Sequence, residues 1–273
     1  MKNVILTPNP YRDKNFQTVR EAMRILKDAG ISSRLCLPFE VDRSYELPNA
    51  EMVICFGGDG TILHMAKAAT RKGIPILGVN IGTMGFMAEL ESTELDKLTQ
   101  VARGEYSLDS RMMLDVTVQR DRDILFHDIC LNDVVVTKGA VARIVHLCVK
   151  CDGVKAMEFG GDGVIISTPT GSTAYSYSAG GPIVEPEAKN IIITPICAHE
   201  IGSRCIVASD KRIVSVEQIL NARRNAYLSV DGGRAIRMNM GDVATIKKSH
   251  LETRLVRLKD RSFYDVVSAK FNR

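Results

Sequence analysis

The sequence predicts an α/β N-terminal domain built on a parallel sheet, followed by a mostly antiparallel, all-β C-terminal domain. Over residues 1–104, short apolar runs alternate with helix-length segments, the spacing of strands and crossover helices in a parallel sheet. After Gly104 the helical period largely disappears. Short β-rich runs then follow one another, separated by Gly, Asp, Asn and Pro clusters, as in an antiparallel β-domain. The last stretch, 262–271, is again amphipathic with a helical period, so residues 255–273 are expected to pack back onto the first domain. The expected limits are 1–104 for the first domain and 105–254 for the second.

In chain order, a strand is predicted over 4–7 and a helix over 13–29 closed by Gly30, glycine being the usual residue just past a helix end. A continuous apolar run at 52–56 reads as a buried parallel strand. A helix over 61–72 ends at Gly73, a second buried strand covers 74–79, and a helix covers 93–103. In the second domain strands are expected over 114–118, 134–137, 144–150, 164–167, 191–194, 213–216, 227–230 and 243–246. No repeat of solenoid length is present.

The composition narrows the function. With 273 residues and 45% hydrophobic content, the chain can bury one large core or two modest ones. A net charge of +4 is too small to argue for nucleic acid, which calls for a concentrated basic stripe. No apolar run is long enough to span a bilayer. The N-terminus carries no signal-peptide pattern, so a cytoplasmic protein is expected. The 7 cysteines are an odd count and are expected to be reduced. Cys148 and Cys151 form a lone CxxC without a second ligand pair, so no protein metal site is predicted.

The tetrapeptide GGDG occurs at 57–60 and again at 160–163. At the first, an apolar strand ends in Gly57-Gly58-Asp59-Gly60 and a helix begins at once. Glycines let the backbone approach a ligand closely, and N–H groups at a helix start suit phosphate. Asp59 is out of place there, because a carboxylate repels phosphate. It either takes a proton or meets a metal, or it simply caps the helix. The turn matches neither a P-loop nor a Rossmann fingerprint. The second GGDG opens a long run of small and hydroxyl residues, TPTGSTAYSYSAGGP. That run is longer than a single turn requires, and Tyr175 within it offers a ring for stacking.

With these blocks the chain resembles the NAD kinase family: GGDGTIL at 57–63, GVNIGTMGF at 78–86, LNDVVV at 131–136, DGVIISTPTGSTAYSYSAGGPIV at 162–184, ITPICAH at 193–199 and LSVDGG at 228–233. GGDGT alone is shared with lipid kinases and phosphofructokinase-like enzymes; the STPTGSTAY block is far more specific. The resemblance implies transfer of a phosphoryl group from ATP, another nucleotide or polyphosphate to the 2′-hydroxyl on the adenosine ribose of NAD, giving NADP. Asp59 would be the general base, and Gly57, Gly58 and Gly60 would donate to donor phosphates. Mg²⁺ or another divalent cation would be held mainly by those phosphates. Expected NAD contacts are Asp59, Gly60, His64, Asn132, Asp133, Arg143, Asp162, Thr173, Ala174, Tyr175, Ser176, Tyr177, Ser178 and Asp231. Asn132–Asp133 and Asp231 equally suit plain turns, and His64 and Arg143 suit exposed surface positions. The resemblance also implies a homodimer or homotetramer. A diacylglycerol- or sphingosine-type lipid kinase and a non-catalytic NAD(P)-sensing module are the rival readings. Gly160, Ala198 and Gly233 depart from the family pattern.

Overall fold

The computed structural model describes residues 1–37, 47–83, 85–139, 143–200, 202–219, 225–260 and 262–271. The elements in chain order are β1 (Asn3–Pro8), α1 (Gln17–Asp28), β2 (Ser32–Leu35), β3 (Met52–Gly57), α2 (Asp59–Arg71), β4 (Ile76–Asn80), β5 (Leu90–Glu91) and α3 (Leu98–Arg103). They continue with β6 (Ser107–Arg120), β7 (Asp123–Cys130), β8 (Asp133–Lys138), β9 (Val145–Cys151), β10 (Val154–Gly161), β11 (Gly163–Ser167), α4 (Tyr175–Ser178), β12 (Asn190–Ile196) and β13 (Ile206–Ser209). The chain closes with β14 (Val214–Gln218), β15 (Ala226–Val230), β16 (Ile236–Met238), β17 (Asp242–Arg257) and α5 (Phe263–Phe271). Two compact units result, residues 1–111 with 251–273, and residues 112–250.

The boundary lies at Arg111 rather than Gly104. Asp109, near the start of β6, receives Arg111 at 2.6 Å and Arg257 at 2.8 Å. The Arg257 pair holds the first residues of β6 to the end of β17 inside the first unit.

In the first unit β2, β1, β3 and β4 lie side by side and parallel. Both faces of β1, β3 and β4 are buried, which is why their sequences run continuously apolar. Alternation sends Val4, Leu6, Ile54, Phe56, Leu77 and Val79 to one face, where they pack with Val19, Ala22 and Leu26 of α1 and Leu98 and Val101 of α3. The opposite face takes α2. A Cβ at Gly78 would lie 2.5 Å from Ile62 Cδ1, so glycine there sets how closely α2 approaches β4.

The second unit stacks two antiparallel arrays. One is the ladder β10-β9-β14-β17, the other the six-stranded sheet β13-β12-β11-β8-β15-β16. Leu147, Val149, Val214 and Val216 from the first meet Val134, Val136, Val164, Ile166 and Leu228 from the second in one core, the packing of a β-sandwich. Cys148 and Cys151 lie three apart on β9 and therefore point to opposite sides of the strand, so they do not form a chelating pair. All the cysteines are free. No helix among the described residues is long and apolar enough to cross a membrane.

Candidate active site

The helix after β3 begins at Asp59, two residues before the predicted start. Its N-cap is Gly58, with no side-chain cap hydrogen bond. Asp59 is not the cap that its position allowed. Its carboxylate turns away from the helix: Oδ2 accepts the Phe86 N–H at 2.8 Å and Oδ1 accepts the Met87 N–H at 3.0 Å. A Cβ on Gly85 would lie 2.1 Å from Asp59 Oδ1, so the chain can wrap the carboxylate only with glycine at that position. Gly85, Phe86 and Met87 form the clamp for Asp59, and the sequence signal at Gly85 and Phe86 was resemblance alone.

Around Asp59 lies a cavity of about 290 Å³, lined by Asn9, Arg12, Gly58, Asp59, Gly60, Thr61, Thr83, Gly85 and Lys270. That volume is at the small end of the roughly 300–1,000 Å³ usual for small-molecule sites, enough for a polar tail and too little for a whole dinucleotide. Among the described residues every liner is glycine or carries a polar side chain. Gly57 is not among them. It ends β3 opposite Asn80, and its Cβ direction is filled by Thr61 Oγ1 at 2.3 Å. Its lack of a side chain lets β3 and α2 pack closely. His64 is exposed on α2 and does not line the cavity. Asn9, Arg12, Thr83 and Lys270 were not candidates, because no local pattern marks them; the fold alone brings them to Asp59.

The second unit gathers the remaining candidates in three clusters. In the first, Asp231 follows β15 with φ of +51°, a left-handed conformation that Asp tolerates better than most residues. Its carboxylate accepts the N–H groups of Leu131 at 2.9 Å, Asn132 at 2.8 Å and Asp133 at 3.2 Å. Asp231 thus shapes the turn that presents Asn132 and Asp133. Asn132 Oδ1 is buried without a protein partner, and Asp133 is 5% exposed. Burial pushes the Asp133 carboxyl up to about 7, helped by the Asp231 charge.

The second cluster surrounds Asp162, which pairs with Lys138 at 2.8 Å. The second GGDG opens no helix. Gly161 ends β10, Gly163 begins β11, and the chain passes from one array to the other through Asp162. A Cβ at Gly163 would lie 2.3 Å from the Val136 carbonyl oxygen, so these glycines permit close strand contact and make no phosphate loop.

In the third, a 3-10 turn over Thr170–Thr173 leads into α4. Ser176 faces inward, its hydroxyl 2.9 Å from Thr194 Oγ1, and is unavailable to a ligand. Thr173 and Ala174 are half-buried, Ser178 is exposed, and Tyr175 and Tyr177 remain 46% and 42% exposed. Arg143 is exposed at the start of the segment leading into β9.

Residues 46–106 match the family of the ATP-NAD kinase N-terminal domain, and residues 131–258 match that of the ATP-NAD kinase C-terminal domain. The chain is 36% identical to the NAD kinase of Acetivibrio thermocellus, across 99% of this chain and 97% of that protein. It is 41% identical to the NAD kinase of Carboxydothermus hydrogenoformans, across 94% and 92%. An NAD kinase from Archaeoglobus fulgidus, solved in complex with ATP, matches with a TM-score of 0.79 at 25% identity, covering 100% of this chain and 99% of that one. Yeast NADH kinase complexed with NADH matches with a TM-score of 0.86 at 22% identity, covering 100% and 88%, a likeness of fold.

Proposed function

Because the chain belongs to the NAD kinase family, we propose that its Asp59 cavity transfers the terminal phosphoryl group of ATP, or of another nucleotide or polyphosphate, to the 2′-hydroxyl on the adenosine ribose of NAD. The observation that carries this reading is the clamped carboxylate in a cavity whose described walls are glycine and polar side chains. Two backbone N–H groups hold Asp59 in one orientation and leave it lone pairs for a third partner. A hydroxyl donating to it would be aligned for attack. The lipid kinase alternative wants apolar walls for an acyl chain, and among the described residues no apolar side chain lines this cavity.

In the transfer, the ribose 2′-oxygen forms a bond to the terminal phosphorus as the bond from that phosphorus to the leaving phosphate oxygen breaks. The leaving group keeps that electron pair, and the hydroxyl proton passes to Asp59 and then to solvent. A ribose hydroxyl is a weak acid, so Asp59 helps late, while positioning and charge stabilisation supply most of the rate. Among the described residues no cluster of three or more His, Cys, Asp or Glu could hold a metal. Asp59 is the one carboxylate lining the cavity among the described residues, so a divalent cation there would be bound chiefly by donor phosphates. When bound, that ion would offset phosphate charge.

In the second unit, the orphan Asn132 Oδ1 supports a role in accepting from an adenine amino group, since a buried acceptor without a partner costs about 1–3 kcal/mol until one arrives. Asp133 beside it suits ribose hydroxyls, and the half-exposed rings of Tyr175 and Tyr177 suit stacking. Homodimers or homotetramers are part of the proposal; a monomeric mass by light scattering would overturn that part.

Purified protein given NAD, Mg²⁺ and ATP should accumulate NADP. A preparation that binds NAD yet transfers phosphate from no nucleotide or polyphosphate would overturn the reading. Asp59→Asn should lower kcat by about 10²–10⁴-fold, the usual contribution of a positioned base, while NAD still binds. Near-native turnover in that variant would remove Asp59 from the role of base.

A further inference from the structure

Two cations line the cavity, and neither is accounted for by the fold. Arg12 follows a tight turn in which its own N–H donates to the Asn9 carbonyl at 3.1 Å. Its guanidinium gives one hydrogen bond, to the Ile81 carbonyl at 3.1 Å. It lies against two glycines, 3.4 Å from a Cβ position at Gly58 and 2.9 Å from one at Gly82. Lys270 arrives from the other end of the chain, near the close of α5. Its ammonium lies 4.4 Å from the centroid of the Phe86 ring, a cation–π distance. Among the described residues neither Arg12 nor Lys270 has a carboxylate partner. The cavity therefore carries two positive groups against the single negative charge of Asp59.

The placement of Lys270 is tied to the base itself. Phe86 gives its N–H to Asp59 Oδ2, and its ring contacts Phe263 at 6.1 Å and Phe271 at 6.0 Å. The aromatic contacts that fix α5 on Phe86 also fix the backbone that clamps the base. An ammonium held over a ring keeps its outward hydrogens available to oxygen ligands. Helix α5 thus brings one cation to a wall of the base's cavity, and the Asn9–Arg12 turn brings a second.

We propose that Lys270 and Arg12 bind the phosphate chain of the phosphoryl donor, and that Lys270 is a catalytic residue which offsets the charge developing on the transferred group. The proposal rests on the kinase reading above. A phosphate chain is the ligand that matches the page: an anion, slender enough for about 290 Å³, meeting glycine, hydroxyl and cationic walls. Arg12, held by a carbonyl and two glycine turns, serves as a fixed anchor. Lys270, a point charge on a flexible stem, can follow the phosphorus as the bond order shifts.

The test is steady-state kinetics on Lys270→Met and Lys270→Arg, varying ATP and NAD separately, with thermal unfolding as a control. Methionine keeps the apolar stem over Phe86 and removes the charge. The expected result is a loss of about 100-fold in kcat/KM for ATP, the scale on which one charge-stabilising donor acts. KM for NAD should stay within about twofold, Lys270→Arg should recover most of the loss, and the unfolding temperature should hold. Direct titration of MgATP should show weaker binding to Lys270→Met. Unchanged ATP kinetics in Lys270→Met overturn the proposal, as does a KM for NAD raised as far as the KM for ATP, or no recovery by arginine. Wild-type protein that makes no NADP would sink the kinase reading instead, so the two failures are distinguishable.

Discussion

Asp59 shows how a residue type can be legible while its function is not. The sequence marks it as an acid among glycines and leaves the cap open, although a cap alone would not require glycine on both sides. What removes the cap is the grip of the Phe86 and Met87 N–H groups, permitted by Gly85, twenty-six positions on, where any side chain would press on the carboxylate at 2.1 Å. Gly85→Ala should displace Asp59 by several tenths of an ångström or more and lower kcat by about 100-fold, since misplacements of that order cost about that much. Single-turnover rates measured beside circular dichroism check this. A variant with native turnover would show that the carboxylate tolerates displacement. Lys270 is the opposite case. In sequence it is one lysine near the end of an amphipathic segment, like any solvated helix residue, and only its place over the Phe86 ring at the cavity wall singles it out.

Among the elements, the strands buried on both faces were the most readable. The runs at 52–56 and 74–79 correspond to β3 and β4, shifted by no more than two residues at either end, because both faces demanded apolar side chains. The strand β2 passed unread: SSRL is largely exposed and carries no alternation, so its parallel ladder with β1 rests on backbone pairing alone. The strand β7 failed for a related reason, with Ile124 and Leu125 exposed at 65% and 48% and breaking the inward pattern. The strands β6 and β17 run well past 114–118 and 243–246, as their ends alternate charged and apolar residues held by ladders and ion pairs. The turn at Asn132–Asp133 was legible as a motif but not as a mechanism, because its organiser, Asp231, lies about a hundred residues away. Asp231→Ala should release three backbone N–H groups, destabilise the second unit by about 2–3 kcal/mol and raise KM for NAD. Unfolding of that variant at the native midpoint would show that the turn holds itself.

For the whole molecule, stability against pH follows from two opposed sets of carboxyl groups. Burial alone would raise Glu94, but hydrogen bonds from Lys259, Lys97 and the Glu91 N–H bring it to about 2. Burial likewise opposes Asp109 and Asp242, and arginine partners lower both. Groups lowered in this way stabilise the fold above their unfolded values near 4, and that stability is lost as pH falls toward 2. Asp133 runs the other way. Burial and the neighbouring Asp231 raise it to about 7, so from about pH 4 to 7 the folded chain keeps a proton that the unfolded chain has already released. Folded states that bind more protons lose stability as pH rises, and this group therefore weakens the fold progressively across that window. Above it, a buried carboxylate stands next to a second acid. Asp133→Asn keeps the shape and removes the ionisation. It should leave the unfolding temperature near native at pH 4.5 and raise it by several degrees at pH 8, on the order of 1–3 kcal/mol, while KM for NAD worsens. Melting curves across pH 4–8, paired with NAD titrations, measure both effects. An Asp133→Asn curve parallel to the native one would mean that Asp133 is ionised throughout. A rise in stability at pH 8 with loss of NAD affinity would identify the acid pair as a strained site retained for binding.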